Sequence, residues 1–140
     1  MVDDINPKVA RNEKTVRAFL KGWDNLDVDE CMEQCSDDMC YLNQPLEAIR
    51  GKDDVRKMIA SIFEAAKRCE FVLINVFGKG NRVITERLDQ WDWDGSNTWQ
   101  LKLHVCGMFE LTEDGKICEW REYYDNDNWN DDGGPSLVLE

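Results

Sequence analysis

Arg87 and Asp89 stand two residues apart in Thr85-Glu86-Arg87-Leu88-Asp89-Gln90-Trp91, and Glu122 stands in Trp120-Arg121-Glu122-Tyr123-Tyr124. Side chains two apart on a strand share a face. Arg87, Asp89 and Trp91 therefore form one set, and Trp120, Glu122 and Tyr124 another. If both sets face inward, a guanidinium lies between two carboxylates and can pair bidentately with each. Two like charges held close raise one carboxyl pKa, so one acid keeps a proton at neutral pH while the Arg keeps the other ionised. The titration then belongs to the pair rather than to either residue. One member can give a proton to a leaving oxygen while the other takes one from a nucleophile, each transfer being worth ~10²–10⁴-fold in rate.

The opposite orientation is open on pattern alone. With Arg87 and Asp89 outward, Glu86, Leu88 and Gln90 would form the inner face, burying a charge and an amide to gain one Leu. Inward, the buried ions need each other, and paired charges are seldom kept in a core for stability.

The elements that would position these residues fall into two halves. Asn6-Pro7 reads as an N-cap followed by proline in the first turn, and Val9, Val16, Phe19, Leu20 and Trp23 recur at helical spacing. Asp27 and Glu30 are spaced as a capping box for a second helix through Cys35. Met39 to Asn43 reads as a short strand ended by Gln44-Pro45. Gly51-Lys52-Asp53-Asp54 leads into a third helix carrying Val55, Met58, Ile59, Ile62, Phe63 and Ala66. Beyond Arg68 the chain turns to β-formers: Phe71 to Phe77, Arg82 to Trp93, Trp99 to Leu111 and Ile117 to Asp125. Turns at Gly78 to Asn81, Asp94-Gly95 and Asp114-Gly115 separate them. Helices followed by a strand meander predict an α+β fold, a curved antiparallel sheet with about three N-terminal helices enclosing a pocket. Residues 1–140 read as a single domain, with 126–140 as a loop or tail, and Leu139-Glu140 as an appended remnant. On the middle strand Leu101, Leu103 and Val105 share the apolar face, and Lys102 and His104 point away. Leu103, Val105, Trp91 and Tyr124, with Leu20, Trp23 and Ile62, would give the pocket an apolar wall.

Composition narrows the partners. The 140 residues hold 17 Lys and Arg against 29 Asp and Glu, a net charge of -12. Phosphate backbones and anionic membranes attract basic surfaces, so neither nucleic acid nor membrane is expected as a partner. The N-terminal residues lack the basic and apolar regions of an export signal, which makes a cytoplasmic, reducing setting the expectation. Cys31, Cys35 and Cys40 lack a fourth ligand at zinc-motif spacing and read as small buried residues. Cys69, Cys106 and Cys118 read as strand packing. One His leaves no triad, and no phosphate loop or metal motif is present. The residues therefore point to cofactor-free proton transfer, with no metal, on an uncharged and mostly apolar substrate.

Thr85-Glu86-Arg87-Leu88-Asp89, Trp120-Arg121-Glu122-Tyr123-Tyr124-Asp125, Tyr41-Leu42-Asn43-Gln44-Pro45-Leu46 and Gly107-Met108-Phe109-Glu110-Leu111-Thr112 together resemble the limonene-1,2-epoxide hydrolase family. The resemblance implies a cone like that of nuclear transport factor 2 and the related SnoaL-like proteins. It implies one-step addition of water to a small apolar epoxide, and a homodimer. By position, Asp89 would protonate the epoxide oxygen, Arg87 would bridge the carboxylates, and Tyr41 and Asn43 would hold the water. Glu122 would be the base, where the family pattern has Asp; the extra methylene moves the carboxylate by ~1.5 Å. Without the resemblance, Tyr41 and Asn43 beside Pro45 read equally as a turn. Two rivals remain: an epoxide-opening cyclase or an isomerase or polyketide-cyclase-like enzyme on the same fold, and a non-catalytic ligand-binding or dimerisation module.

Overall fold

Asn6 opens the first helix as its sequence predicts, the side chain accepting the Lys8 N–H at 3.0 Å with Pro7 in the first turn. The computed structural model describes residues 6–43 and 46–138. Readings that fall on residues 1–5, 44–45 and 139–140 lie outside the described residues. Helix α1 (Pro7–Asp24) buries Val16, Phe19, Leu20 and Trp23. A short α2 (Val28–Met32) follows, capped by the Asp27 side chain on the Glu30 N–H. The other arm of the expected box does not form: Glu30 accepts from Asn25, and the Asp27 N–H bonds the Gly22 carbonyl. Gly22 lets the two helices meet, since a Cβ there would lie 2.6 Å from Cys31 Sγ.

Helix α2 ends before Cys35, which instead begins strand β1 (Cys35–Asn43), longer than expected. Strand β2 (Ile49–Arg50) pairs with it, and α3 (Lys52–Ala65) buries Val55, Met58, Ile59 and Ile62. Four long strands complete the sheet: β3 (Arg68–Lys79), β4 (Arg82–Asp92), β5 (Leu101–Leu111) and β6 (Ile117–Tyr123). Gly80, at φ 59°, makes the tight turn between β3 and β4. Asp92 organises the β4–β5 loop by accepting the N–H groups of Gly95 and Asn97.

The sheet order is β2-β1-β6-β5-β4-β3, a curved open sheet of α+β class. One pairing departs from the antiparallel expectation: β1 runs parallel to β6. Parallel neighbours need a long crossover, and here residues 44–116, about half of the chain, supply it. The tail expectation is also corrected. Residues 126–131 form a helix, α4 (Asn126–Asp131), capped by the Asp125 side chain, and its Trp129 is buried. Trp129 donates its indole N–H to the Pro135 carbonyl, and Trp93 donates to the Asp132 carbonyl, so the segment lies bound across the cone.

Candidate active site

The register of the sheet brings the chemistry-bearing residues into ranks. Thr85 of β4 stands opposite Gly107 of β5, Gly107 opposite Glu122 of β6, and Glu122 opposite Asn43 of β1. A second rank runs Val83, Phe109, Trp120 and Tyr41. Arg87 stands opposite Val105, and Asp89 opposite Leu103 and Phe71. Since Leu101, Leu103 and Val105 are buried and Lys102 and His104 exposed, the β5 pattern carries Arg87, Asp89 and Trp91 inward with it. The open question of orientation is thereby resolved in favour of the buried charged set.

Arg87 is 0% exposed. Its Nε donates to Asp89 Oδ1 at 3.0 Å and its Nη2 to Asp89 Oδ2 at 2.9 Å. The same Nη2 donates to Glu122 Oε1 at 2.6 Å, and Nη1 donates to Thr85 Oγ1 at 3.0 Å. The Phe71 ring lies 5.1 Å from the guanidinium carbon and covers it in a cation–π contact. Every nitrogen of the buried cation thus has a partner, which a charge out of water requires.

Burial raises both carboxyl pKa values, against the pull of Arg87. Glu122 is pushed up to about 7 by burial, with the nearby Asp89 charge adding to the rise. One positive charge between two carboxylates leaves an unbalanced negative charge in an apolar interior unless one acid keeps its proton. Asp89 has both oxygens on Arg87, whereas Glu122 Oε2 is buried with no hydrogen-bond partner among the described residues. Both polar atoms of the Asn43 side chain are buried beside it, also without a partner among the described residues. Burial also holds the Tyr41 hydroxyl well above its usual range and Tyr124 up to about 12, so both phenols stay protonated donors near neutral pH.

Asp89 and Glu122 open onto a cavity of about 40 Å³, room for a few water molecules. Trp23, Tyr41, Ile62, Trp91, Leu103, Val105 and Tyr124 line it. Leu20 does not: it packs in the core beneath the wall. Arg87 lies behind the two acids, and Asn43 beside Glu122. Tyr41 stacks on Trp120 with ring centroids 4.0 Å apart.

Phe71, Trp120, Trp129 and Leu137 also line the cavity and were missed by sequence reasoning. Phe71 and Trp120 were on strands whose alternation points them inward, so the signal was present. Trp129 and Leu137 come from the polar C-terminal segment, where no periodicity marked them. Thr85 and Gly107 were missed too, though both sit two residues from inward-facing positions. A glycine in mid-strand itself suggests a close approach.

The cysteines form no centre. Cys31 Sγ donates to the Phe19 carbonyl, Cys35 Sγ to the Cys31 carbonyl, and Cys106 is exposed on the outer face rather than packed. Among the described residues no group of three His, Cys, Asp or Glu side chains is arranged to hold a metal ion. No helix among them is long and apolar enough to cross a membrane.

The model of the limonene-1,2-epoxide hydrolase catalytic domain matches residues 10–129. Epoxide hydrolase EphG of Mycobacterium tuberculosis (strain ATCC 25618 / H37Rv) is 30% identical over 110 residues, covering 79% of this chain and 70% of that protein. Among solved structures, an M. tuberculosis LEH-like epoxide hydrolase superposes with a TM-score of 0.77 at 26% identity, covering 90% of this chain and 91% of the other. A putative SnoaL-like polyketide cyclase from Jannaschia sp. CCS1 superposes at 0.81 with 19% identity, covering 96% and 99%. The second likeness is one of fold.

Proposed function

Because the chain belongs to the limonene-1,2-epoxide hydrolase family, we propose that it opens a small hydrophobic epoxide by one-step addition of water, without a cofactor, giving a vicinal diol. The observation that carries this reading is the pair of buried acids joined through Arg87 at the wall of an aromatic cavity. Epoxide opening needs an acid on the ring oxygen and a base on the nucleophile in the same step, and such a pair supplies both.

In this reading the pair carries one proton, and the reactive form is the one in which that proton sits on Asp89 rather than on Glu122. Asp89 then protonates the epoxide oxygen as the C–O bond breaks. Glu122 takes a proton from the attacking water, which Tyr41 and Asn43 orient. Asn43 and Glu122 Oε2 offer donor and acceptor atoms with no partner among the described residues, which suits a water held between them. Arg87 keeps the two carboxyl groups at fixed spacing, and the proton returns from Glu122 to Asp89 after turnover. The pair keeps one proton up to about pH 7, where Glu122 titrates, so an acid and an ionised base coexist at neutral pH.

The test is incubation with a terpene or cyclohexene-type epoxide in ¹⁸O-water. The expected product is a diol carrying one label, lost in Asp89→Asn and in Glu122→Gln. An unlabelled cyclic ether would move the assignment to an epoxide-opening cyclase. Absence of turnover across a broad epoxide panel would move it to a binding module.

We also propose a homodimer, formed through the outer face of the sheet, where Val72, Ile74, Phe77, Ile84 and Tyr123 are exposed. Apolar patches of that kind mark contact surfaces.

A further inference from the structure

We propose that Gly107 is a positioning residue: its bare backbone is the floor on which Arg87 and Glu122 lie, and it is what lets a glutamate serve as the second carboxylate. The inference rests on the acid/base reading above and goes beyond it by assigning a role to a residue with no reactive group.

Gly107 sits in the middle of β5, buried, between Thr85 and Glu122 in the register. Glycine weakens a strand interior by roughly 0.5–1 kcal/mol relative to alanine, so a backbone or spatial reason is expected. The backbone supplies none, because Gly107 is not among the glycines at positive φ. Space does. A Cβ built at Gly107 would stand 2.5 Å from Arg87 Nη1, 2.6 Å from Glu122 Oε2 and 3.0 Å from Thr85 Oγ1.

Those neighbours cannot swing aside into solvent. Arg87 is held by Asp89, Glu122 and Thr85 and covered by Phe71. Glu122 is 5% exposed, with Tyr41, Asn43 and Trp120 on the β1 side and in its own strand. A methyl at 107 must therefore push either the guanidinium off Thr85 or the Glu122 carboxylate off Arg87. Either shift changes the separation of the two acids. The longer arm of glutamate ends over the glycine, in space that a side chain would fill.

The test is a double-mutant cycle of Gly107→Ala and Glu122→Asp, read by diol formation, by thermal unfolding and by ¹³C titration of the side-chain carboxyl at position 122. Gly107→Ala is expected to fold and to lose ~100-fold in kcat with KM little changed, the scale of a 1 Å misplacement. Glu122→Asp alone is expected to lose about tenfold. The double variant should recover at least about tenfold over Gly107→Ala, because shortening the acid relieves the overlap. A double loss equal to the product of the single losses overturns the proposal. If Gly107→Ala does not fold, the double variant folding is the supporting result. Failure of both while Glu122→Asp folds overturns it. Should the wild-type protein open no epoxide, the titration still decides. Gly107→Ala should move the Glu122 pKa away from its wild-type value, and an unmoved pKa in the folded variant overturns the proposal independently of the hydrolase reading.

Discussion

Glu122 holds its proton into the neutral range because the pocket that shelters it is apolar, and the consequence reaches both stability and rate. Its folded pKa of about 7 lies above the ordinary 4.5. The folded state therefore binds more protons than the unfolded chain between those values, and stability falls as pH rises through that window. The stabilisation is complete below about pH 4.5 and lost above about pH 7, a change of about 3 kcal/mol at this site. Urea melts across the window should show the decline in the wild type and a flatter profile in Glu122→Gln. Catalysis needs the pair singly protonated, an acid beside an ionised base, so kcat/KM on an epoxide should fall as pH rises above about 7 and that proton is lost. Asp89→Asn should lower kcat/KM by ~10²–10⁴-fold with the fold intact by circular dichroism. The pairing of Arg87 with Asp89 was legible from their spacing, but their direction was not. Both faces of 86–91 carry polar groups, and only the register against Phe71, Leu103 and Val105 decides which is inside. The role of Gly107 depends on neighbours roughly fifteen to twenty residues away in the chain, which no local pattern records.

At the scale of elements, α4 and residues 132–138 add Trp129 and Leu137 to the cavity wall. Trp129 packs edge-on against Trp91 and Trp93, and Leu137 reaches the same wall. Trp129→Ala should destabilise the protein by about 3 kcal/mol in chemical denaturation and raise activity on bulkier epoxides relative to small ones, measured as a ratio of kcat/KM values. The Asn, Asp and Gly content of 126–135 hid this helix, because its cap, Asp125, and its single buried residue leave no apolar period to detect. The long strands and α1 and α3 were legible, since each carries a face of apolar residues at its proper spacing. The early end of α2 was not, because Cys35 fits a helix turn as well as a strand start. The parallel partnership of β1 and β6 was hidden for another reason: tight turns announce antiparallel neighbours, and nothing in a sequence announces a pairing across most of its length.

For the molecule as a whole, the outer face of the sheet carries exposed apolar side chains on a chain otherwise strongly acidic. A charge placed there, as in Phe77→Glu with Ile84→Lys, should shift sedimentation from dimer to monomer without removing the acids from their cavity. The seam between β1 and β6 has a consequence in time. Asn43 and Glu122 lie side by side yet roughly eighty residues apart in the chain. A nascent polypeptide leaving the ribosome thus presents Tyr41 and Asn43 long before their counterpart has been synthesised, with one edge of β1 bare in the interval. Contacts of such separation form late and slowly. The last described strand to emerge is the one that both seals that edge and carries Glu122, so a chain stalled before it is born without the second carboxyl group and with a sticky border in its place.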